Sequence, residues 1–164
     1  AIHVSNNIEI ERKFLVKDES YKSLATDHYT IQQGYICKDP DRTVRVRIKT
    51  GSDGAAIAYL TIKSKPNDVG FSRFEWEKQI DVEDAKQLMA LCPNPIHKTR
   101  WLVPAATADH SASALVWEVD EFHGRLAGRV IAELELENEQ QTFAKPDFVG
   151  TEVTGLPQYY NANM

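Results

Sequence analysis

The sequence predicts a mainly β fold, α+β in the broad sense: eight antiparallel strands in a closed or nearly closed barrel, with a few flanking helices. Three observations predict it. Ionisable residues recur at every second position, at Glu9/Glu11/Lys13, Arg45/Arg47, Arg73/Glu75/Glu77, Lys98/Arg100, Glu118/Asp120 and Glu133/Glu135. A strand turns successive side chains to opposite faces, so each set shares one face. Turn residues separate these runs, and helical periodicity is confined to short stretches. Many antiparallel strands with few helices is the pattern of a barrel.

The first strand, 8–16, alternates Ile8 and Ile10 with Glu9, Glu11 and Lys13. A short helix near 19–26 follows, capped by Asp18 or Ser20. Asp39-Pro40-Asp41 separates strands at 30–37 and 43–49, and Gly51-Ser52-Asp53-Gly54 separates the latter from 57–64. Pro66 to Gly70 then leads into a strand at 71–81. A firmer helix spans 82–91: Asp81 is the N-cap, Glu83 and Asp84 favour the first turn, and Val82, Ala85, Leu88 and Met89 share a face. Pro93 ends it. Strands at 97–103 and 114–122 flank a small, polar segment, Pro104 to Ser113, expected to be a mobile loop. A last strand at 129–137 precedes helical pieces near 138–145 and 157–163.

The 164 residues suffice for one domain, 1–164, with residues 1 to about 7 a frayed end. Hydrophobic residues make up 42% and charged residues 26%, the balance of a soluble globular chain. A net charge of -5 argues against nonspecific duplex binding, so no nucleic-acid partner is expected. Cys37 and Cys92 are too few for a disulfide framework or a zinc site, and they fit a reduced, cytoplasmic setting. No run of 18 apolar residues occurs and AIHVSNN is not a secretory leader, so neither a membrane span nor export is expected.

The off-phase residues form the apolar face: Ile8, Ile10, Phe14 and Val16; Val44, Val46 and Ile48; Phe74, Trp76 and Ile80; Leu134 and Leu136. An apolar interior would put the charges in water, whereas an outside covered by helices would turn them into a lumen. Periodicity alone leaves both arrangements open.

Taken singly, each charged pair reads as a solvated strand face. Six strands repeating the pattern read as one polyanion- and metal-binding surface. Glu9, Glu11, Glu133 and Glu135 converge if the first and last strands are neighbours; four enclosed anions then need protons or a hard cation, Mg²⁺ or Mn²⁺. Lys13, Arg45, Arg47, Lys63, Arg73, Lys98 and Arg100 share their phase and suit phosphate oxygens. Glu75, Glu77, Glu118 and Asp120 are read as orienting the neighbouring cations. Lys49 and Lys65, at strand ends, are expected to be solvated. Tyr35, Tyr59, Trp76, Trp101 and Trp117 are expected in the core. The five histidines lack metal-ligand spacing, and no phosphate-binding glycine loop is present.

The segment EIERKFLV carries an E-x-E-x-K motif and is followed in order by QGYI, TVRVRI, LTIKSK, SRFEWEKQID, KTRW, WEVDEF, AELELE and GTEVTGLPQYYN. This series resembles the CYTH superfamily, the triphosphate tunnel metalloenzymes, and within it the small bacterial inorganic triphosphatases. The resemblance implies an eight-stranded tunnel with its charges inward and hydrolysis of a triphosphate, tripolyphosphate first among candidates, with two divalent ions during turnover. It implies the four glutamates as metal ligands and the seven cations as phosphate ligands. Lys98, with Tyr35 as partner, is a candidate for proton handling. An adenylate cyclase or a thiamine triphosphatase on the same scaffold are the alternatives within the family. A non-catalytic polyphosphate- or nucleotide-binding module is the alternative outside catalysis. Oligomeric state is not legible.

Overall fold

The computed structural model describes residues 8–66, 72–106 and 115–164. Eight strands close a barrel: β1 (Ile8–Val16), β2 (Asp27–Asp39), β3 (Arg42–Gly51), β4 (Ala56–Ser64), β5 (Ser72–Ile80), β6 (Ile96–Pro104), β7 (Val116–Phe122) and β8 (Val130–Glu135). They run in the order β5-β4-β3-β2-β6-β7-β8-β1, and β1–β5 pairing closes the ring, every pairing antiparallel. The expected loop at Pro104–Ser113 falls mostly on residues 107–114, and the frayed end on residues 1–7, both outside the described residues.

A ninth strand, β9 (Val149–Glu152), was not expected. One edge of β1 pairs with β8; the other is shared, Ile8–Ile10 with β5 and Phe14–Val16 with β9. Too short to show a periodicity of its own, β9 is held by Arg12, whose Nε donates to Glu152 Oε2 at 2.8 Å. The helix expected at 138–145 does not form; Gln141 caps a turn there by accepting from Glu137 N at 2.6 Å. That at 157–163 is two 3₁₀ turns, Pro157–Tyr159 and Asn161–Asn163, because each is only one turn long and their residues bond across to the barrel instead. The first helix, α1 (Tyr21–Leu24), is a single turn, and α2 (Val82–Met89) lies where the capping pattern put it.

Two large sectors of the outer face are covered, which decides the question left by periodicity. Phe14, Trp117, Val119, Ala132 and Leu134 on β1, β7 and β8 pack beneath Tyr21 of α1 and Phe148 and Val149 of the returning chain. Ala85 and Met89 of α2, with Cys92 beyond it, cover Val46, Ile48 and Ala58. With both apolar sectors sealed outside, the charged phase points in. Ile8, Phe74 and Trp76 remain exposed at 37–39% on an uncovered sector, so Trp76 is not core. Among the described residues no helix is long and apolar enough to cross a membrane.

Gly34 lies directly against Cys92, just beyond α2. A Cβ there would lie 2.5 Å from Cys92 Cβ and 2.7 Å from its Sγ, atoms anchored to backbone. Gly34→Ala is expected to cost about 1–3 kcal/mol, read as a lowered urea midpoint at an unchanged slope.

Candidate active site

Cross-strand register assembles the interior. Lys13 faces Glu133, Glu11 faces Glu135, Glu9 faces Arg73, Lys63 faces Glu75, Arg100 faces Asp120 and Tyr35 faces Arg45. These side chains surround a cavity of about 710 Å³ lined by Glu9, Glu11, Lys13, Tyr35, Arg45, Arg47, Lys63, Arg73, Glu75, Glu77, Arg100, Glu118, Glu133 and Glu135, among others. Lys98 and Asp120 share the inward phase but stand behind the lining, their side chains 0% and 1% exposed and joined at 2.6 Å. Tyr35 and Lys98 are not hydrogen-bonded to each other.

The cavity wall is not purely ionic. Gln33, completely buried, accepts from Arg47 Nε at 2.9 Å. Thr61 accepts from Arg45 Nη2 at 3.2 Å and donates to Glu77 at 2.8 Å. Both sit in the alternating phase, which was the available signal; neutral side chains were passed over in a pattern read by charge. Tyr35 and Tyr59 line the cavity rather than a core; Lys49, half-buried, lines it rather than ending in open solvent, whereas Lys65, at its rim, is exposed as expected. Lys49 Nζ lies 3.9 Å from the Tyr29 ring centroid. Tyr160 and Asn161, beyond the last barrel strand, also reach the cavity and carried no periodic signal.

Charge is unevenly balanced across the barrel. β1, flanked by β5 and β8, lies four strands from β2, which is flanked by β3 and β6. On the β1 side, burial and the charges of Glu133 and Glu9 push Glu11 up to about 8. Partial desolvation, Glu9 and Glu118 push Glu135 up to about 7. Burial and a shared proton with Glu9 push Glu75 up to about 7. Glu9 and Glu133 have cations in hand: burial raises them, but Lys63 and Arg73 on the one and Lys13 and Arg100 on the other hold both well below the usual carboxylate range. Lys63 Nζ donates to both Glu9 oxygens at 2.9 Å, and Lys13 Nζ is 3.4 Å from Glu133.

The opposite wall has the reverse imbalance. Burial, then Arg45 and Arg100, lowers Arg47 to about 10, and Arg47 makes no ion pair among the described residues. Burial, offset only partly by Asp120 and worsened by Arg100 and Arg47, lowers Lys98 to about 7. Arg45 Nε is buried without a hydrogen-bond partner. Arg100 is the best paired, clamped by Asp120 at 2.7 and 2.9 Å and by Glu118 at 2.9 Å, while Lys98 shares that Asp120 and Arg45 lies 3.8 Å from Glu77. One wall is therefore short of cations and the facing wall short of anions, an arrangement that costs stability unless ligands supply both.

Among the described residues no three His, Cys, Asp or Glu side chains converge as a ready-made metal cage. The donor chemistry still fits a hard divalent cation, because such ions commonly take one or two carboxylates and complete their shell with substrate phosphates and water. The facing, cation-poor pair Glu11 and Glu135 is the best-suited donor set.

The imbalance gives a pH signature. Between about pH 5 and 7 Glu11, Glu75 and Glu135 are ionised when unfolded and hold protons when folded, so stability falls as pH rises. The metal-free protein's Tm is expected to drop across that window, and Glu11→Gln is expected to flatten the drop.

Comparison with known proteins places this architecture. The family described as the CYTH domain matches residues 7–160. A protein named inorganic triphosphatase from Acetivibrio thermocellus is 42% identical over 158 residues, 95% of this chain and 92% of that one. The crystal structure of the inorganic triphosphatase NE1496 is similar with a TM-score of 0.58 at 28% identity, covering 94% of this chain and 92% of that one. A putative adenylyl cyclase from Hippeastrum, 14% identical with a TM-score of 0.57 over 79% of this chain and 80% of that one, shares the fold.

Proposed function

Because the chain belongs to the CYTH family, we propose that it hydrolyses inorganic tripolyphosphate to pyrophosphate and phosphate inside the barrel with a divalent cation. The observation that carries this reading is the facing pair of unbalanced walls in one cavity. A phosphate chain neutralises one and a cation the other, and a plain anion-binding module gains nothing from a cation-poor wall of carboxylates. The similarity to a protein named inorganic triphosphatase supports that substrate over the cyclase and thiamine alternatives.

Arg45, Arg47 and Arg100 take the phosphoryl oxygens, the planar guanidinium matching two oxygens at once. Asp120 and Glu118 fix Arg100, and Glu77 acts on Arg45 through Thr61, so these acids orient cations. Lys13, Lys63 and Arg73, each beside a glutamate, hold the chain where it crosses from one wall to the other. Glu11 and Glu135, with Glu133 and Glu9 beside them, would hold Mg²⁺ or Mn²⁺, which neutralises phosphoryl charge and makes water a better nucleophile when bound. Water attacks the terminal phosphorus, the bridging P–O bond breaks and pyrophosphate leaves with the electron pair. Of the two groups expected to handle protons, Tyr35 lines the cavity, whereas Lys98 lies behind the lining on Asp120 and Asn161 and has no direct path to the attacking water.

Incubation with Mg²⁺ or Mn²⁺ and, separately, tripolyphosphate, ATP and thiamine triphosphate tests the reading. Phosphate and pyrophosphate in equal amounts from tripolyphosphate are expected. Cyclic AMP from ATP, or faster turnover of thiamine triphosphate, would replace this reading with another.

A further inference from the structure

The chain beyond β9 returns to the barrel and lays residues 157–163 against its interior. Tyr159 packs on Ile96, Phe122 and Ile131, which share the inward phase with Lys98, Asp120 and Glu133. Its carbonyl accepts from Lys13 Nζ at 3.2 Å, and the Tyr160 ring lies 5.6 Å from Lys13 Nζ and 5.9 Å from the Arg73 guanidinium. Asn161 stands between the buried Lys98 and the cavity: it lines the cavity and Lys98 does not.

The donors around Asn161 determine which way its amide faces. Arg47 Nε only donates, so the Gln33 oxygen that receives it is the acceptor end of that amide. Gln33 Nε2 therefore donates, and it meets Asn161 at 3.3 Å. Lys98 Nζ, another donor, meets the same Asn161 atom at 3.1 Å. Two donors on one atom require it to be oxygen, which leaves the Asn161 NH₂ as the outward end. That NH₂ makes no hydrogen bond among the described residues.

We propose that Asn161 is a further substrate-binding residue whose Nδ2 donates to a phosphoryl oxygen, held in that orientation by Lys98 and, through Gln33, by Arg47. This deepens the triphosphatase reading and rests on it. Both cations draw electron density toward the amide oxygen, which makes the free N–H groups better donors. The two cations thereby act on a phosphate at one remove through neutral amides. The segment after β9 thus becomes part of the phosphate-binding wall rather than packing alone.

Asn161→Asp isolates the claim. The substitution keeps the oxygen that accepts from Lys98 and Gln33 and exchanges only the outward NH₂ for a carboxylate oxygen. Tripolyphosphate binding is measured by calorimetry on the metal-free protein, with Tm as a parallel readout. An unchanged or raised Tm is expected, with affinity at least about tenfold weaker, because like charges meet at close range. Asn161→Ala, which removes the donor without adding charge, is expected to weaken binding less than Asn161→Asp does. A wild type that binds tripolyphosphate alongside an Asn161→Asp variant that binds it within about twofold would overturn this inference alone. A wild type that neither binds nor hydrolyses tripolyphosphate would overturn the triphosphatase reading, and this inference with it.

Discussion

Glu11→Gln lowers metal-dependent kcat/KM for tripolyphosphate by about 10³-fold or more, while the metal-free protein becomes more stable at pH 8. Both expectations come from one geometry. Glu11 faces Glu135 across the β1–β8 pair and lies near Glu133 and Glu9, while its nearest cation, Lys13 at 3.9 Å, is shared with Glu133. A carboxylate pushed up to about 8 in that company is a cost to the fold, so removing its charge stabilises. A bound cation would offset that cost, and charge stabilisation by a metal in phosphoryl transfer is worth several kcal/mol, each 1.36 kcal/mol being a factor of ten. Loss of activity with a gain in Tm separates a functional carboxylate from a structural one. Retained turnover would remove Glu11 from the metal site.

Arg47→Ala has the second large effect, a fall of about 10²–10³-fold in kcat/KM with little loss of stability. Arg47 is half-buried in the field of Arg45 and Arg100, and among the described residues its hydrogen-bond partner is the neutral Gln33. Removing one of three neighbouring guanidinium groups relieves repulsion in the empty tunnel and takes away an anchor for the phosphate chain. Arg47→Lys keeps the charge but loses the planar pair of donors, so partial activity is expected. Steady-state kinetics beside thermal melts read both quantities. An Arg47→Ala enzyme with wild-type kcat/KM would mean that the phosphates bind elsewhere.

The barrel was legible because its strands repeat one chemical alternation: Glu9/Glu11/Lys13 announces a face as clearly as any apolar stripe. Less legible was where that face points, since covering the outer face takes Phe143, Phe148 and α2, which are separated in sequence from the strands they cover. β9 escaped notice because four residues cannot show a period, and its position depends on Arg12 reaching Glu152 across the fold. Within the site, residue type led to the acids and bases, and the neutral positions between them went unread. Gln33, Thr61 and Asn161 have no charge to mark them, yet they set how Arg47, Arg45 and Lys98 are oriented. Tyr35 and Tyr59 read as core because an aromatic in a strand usually is, but their phase was that of Arg45 and Arg47 all along.

Calorimetric titration of tripolyphosphate into metal-free wild type, Arg47→Ala and Glu11→Gln examines the two-walled cavity most directly. Arg47→Ala should bind far more weakly than wild type, whereas Glu11→Gln should bind as well near neutrality and more tightly above about pH 8, where Glu11 carries its charge. Equal losses in the two variants, or no loss in either, would contradict the division of the tunnel into an anion-seeking wall and a cation-seeking one.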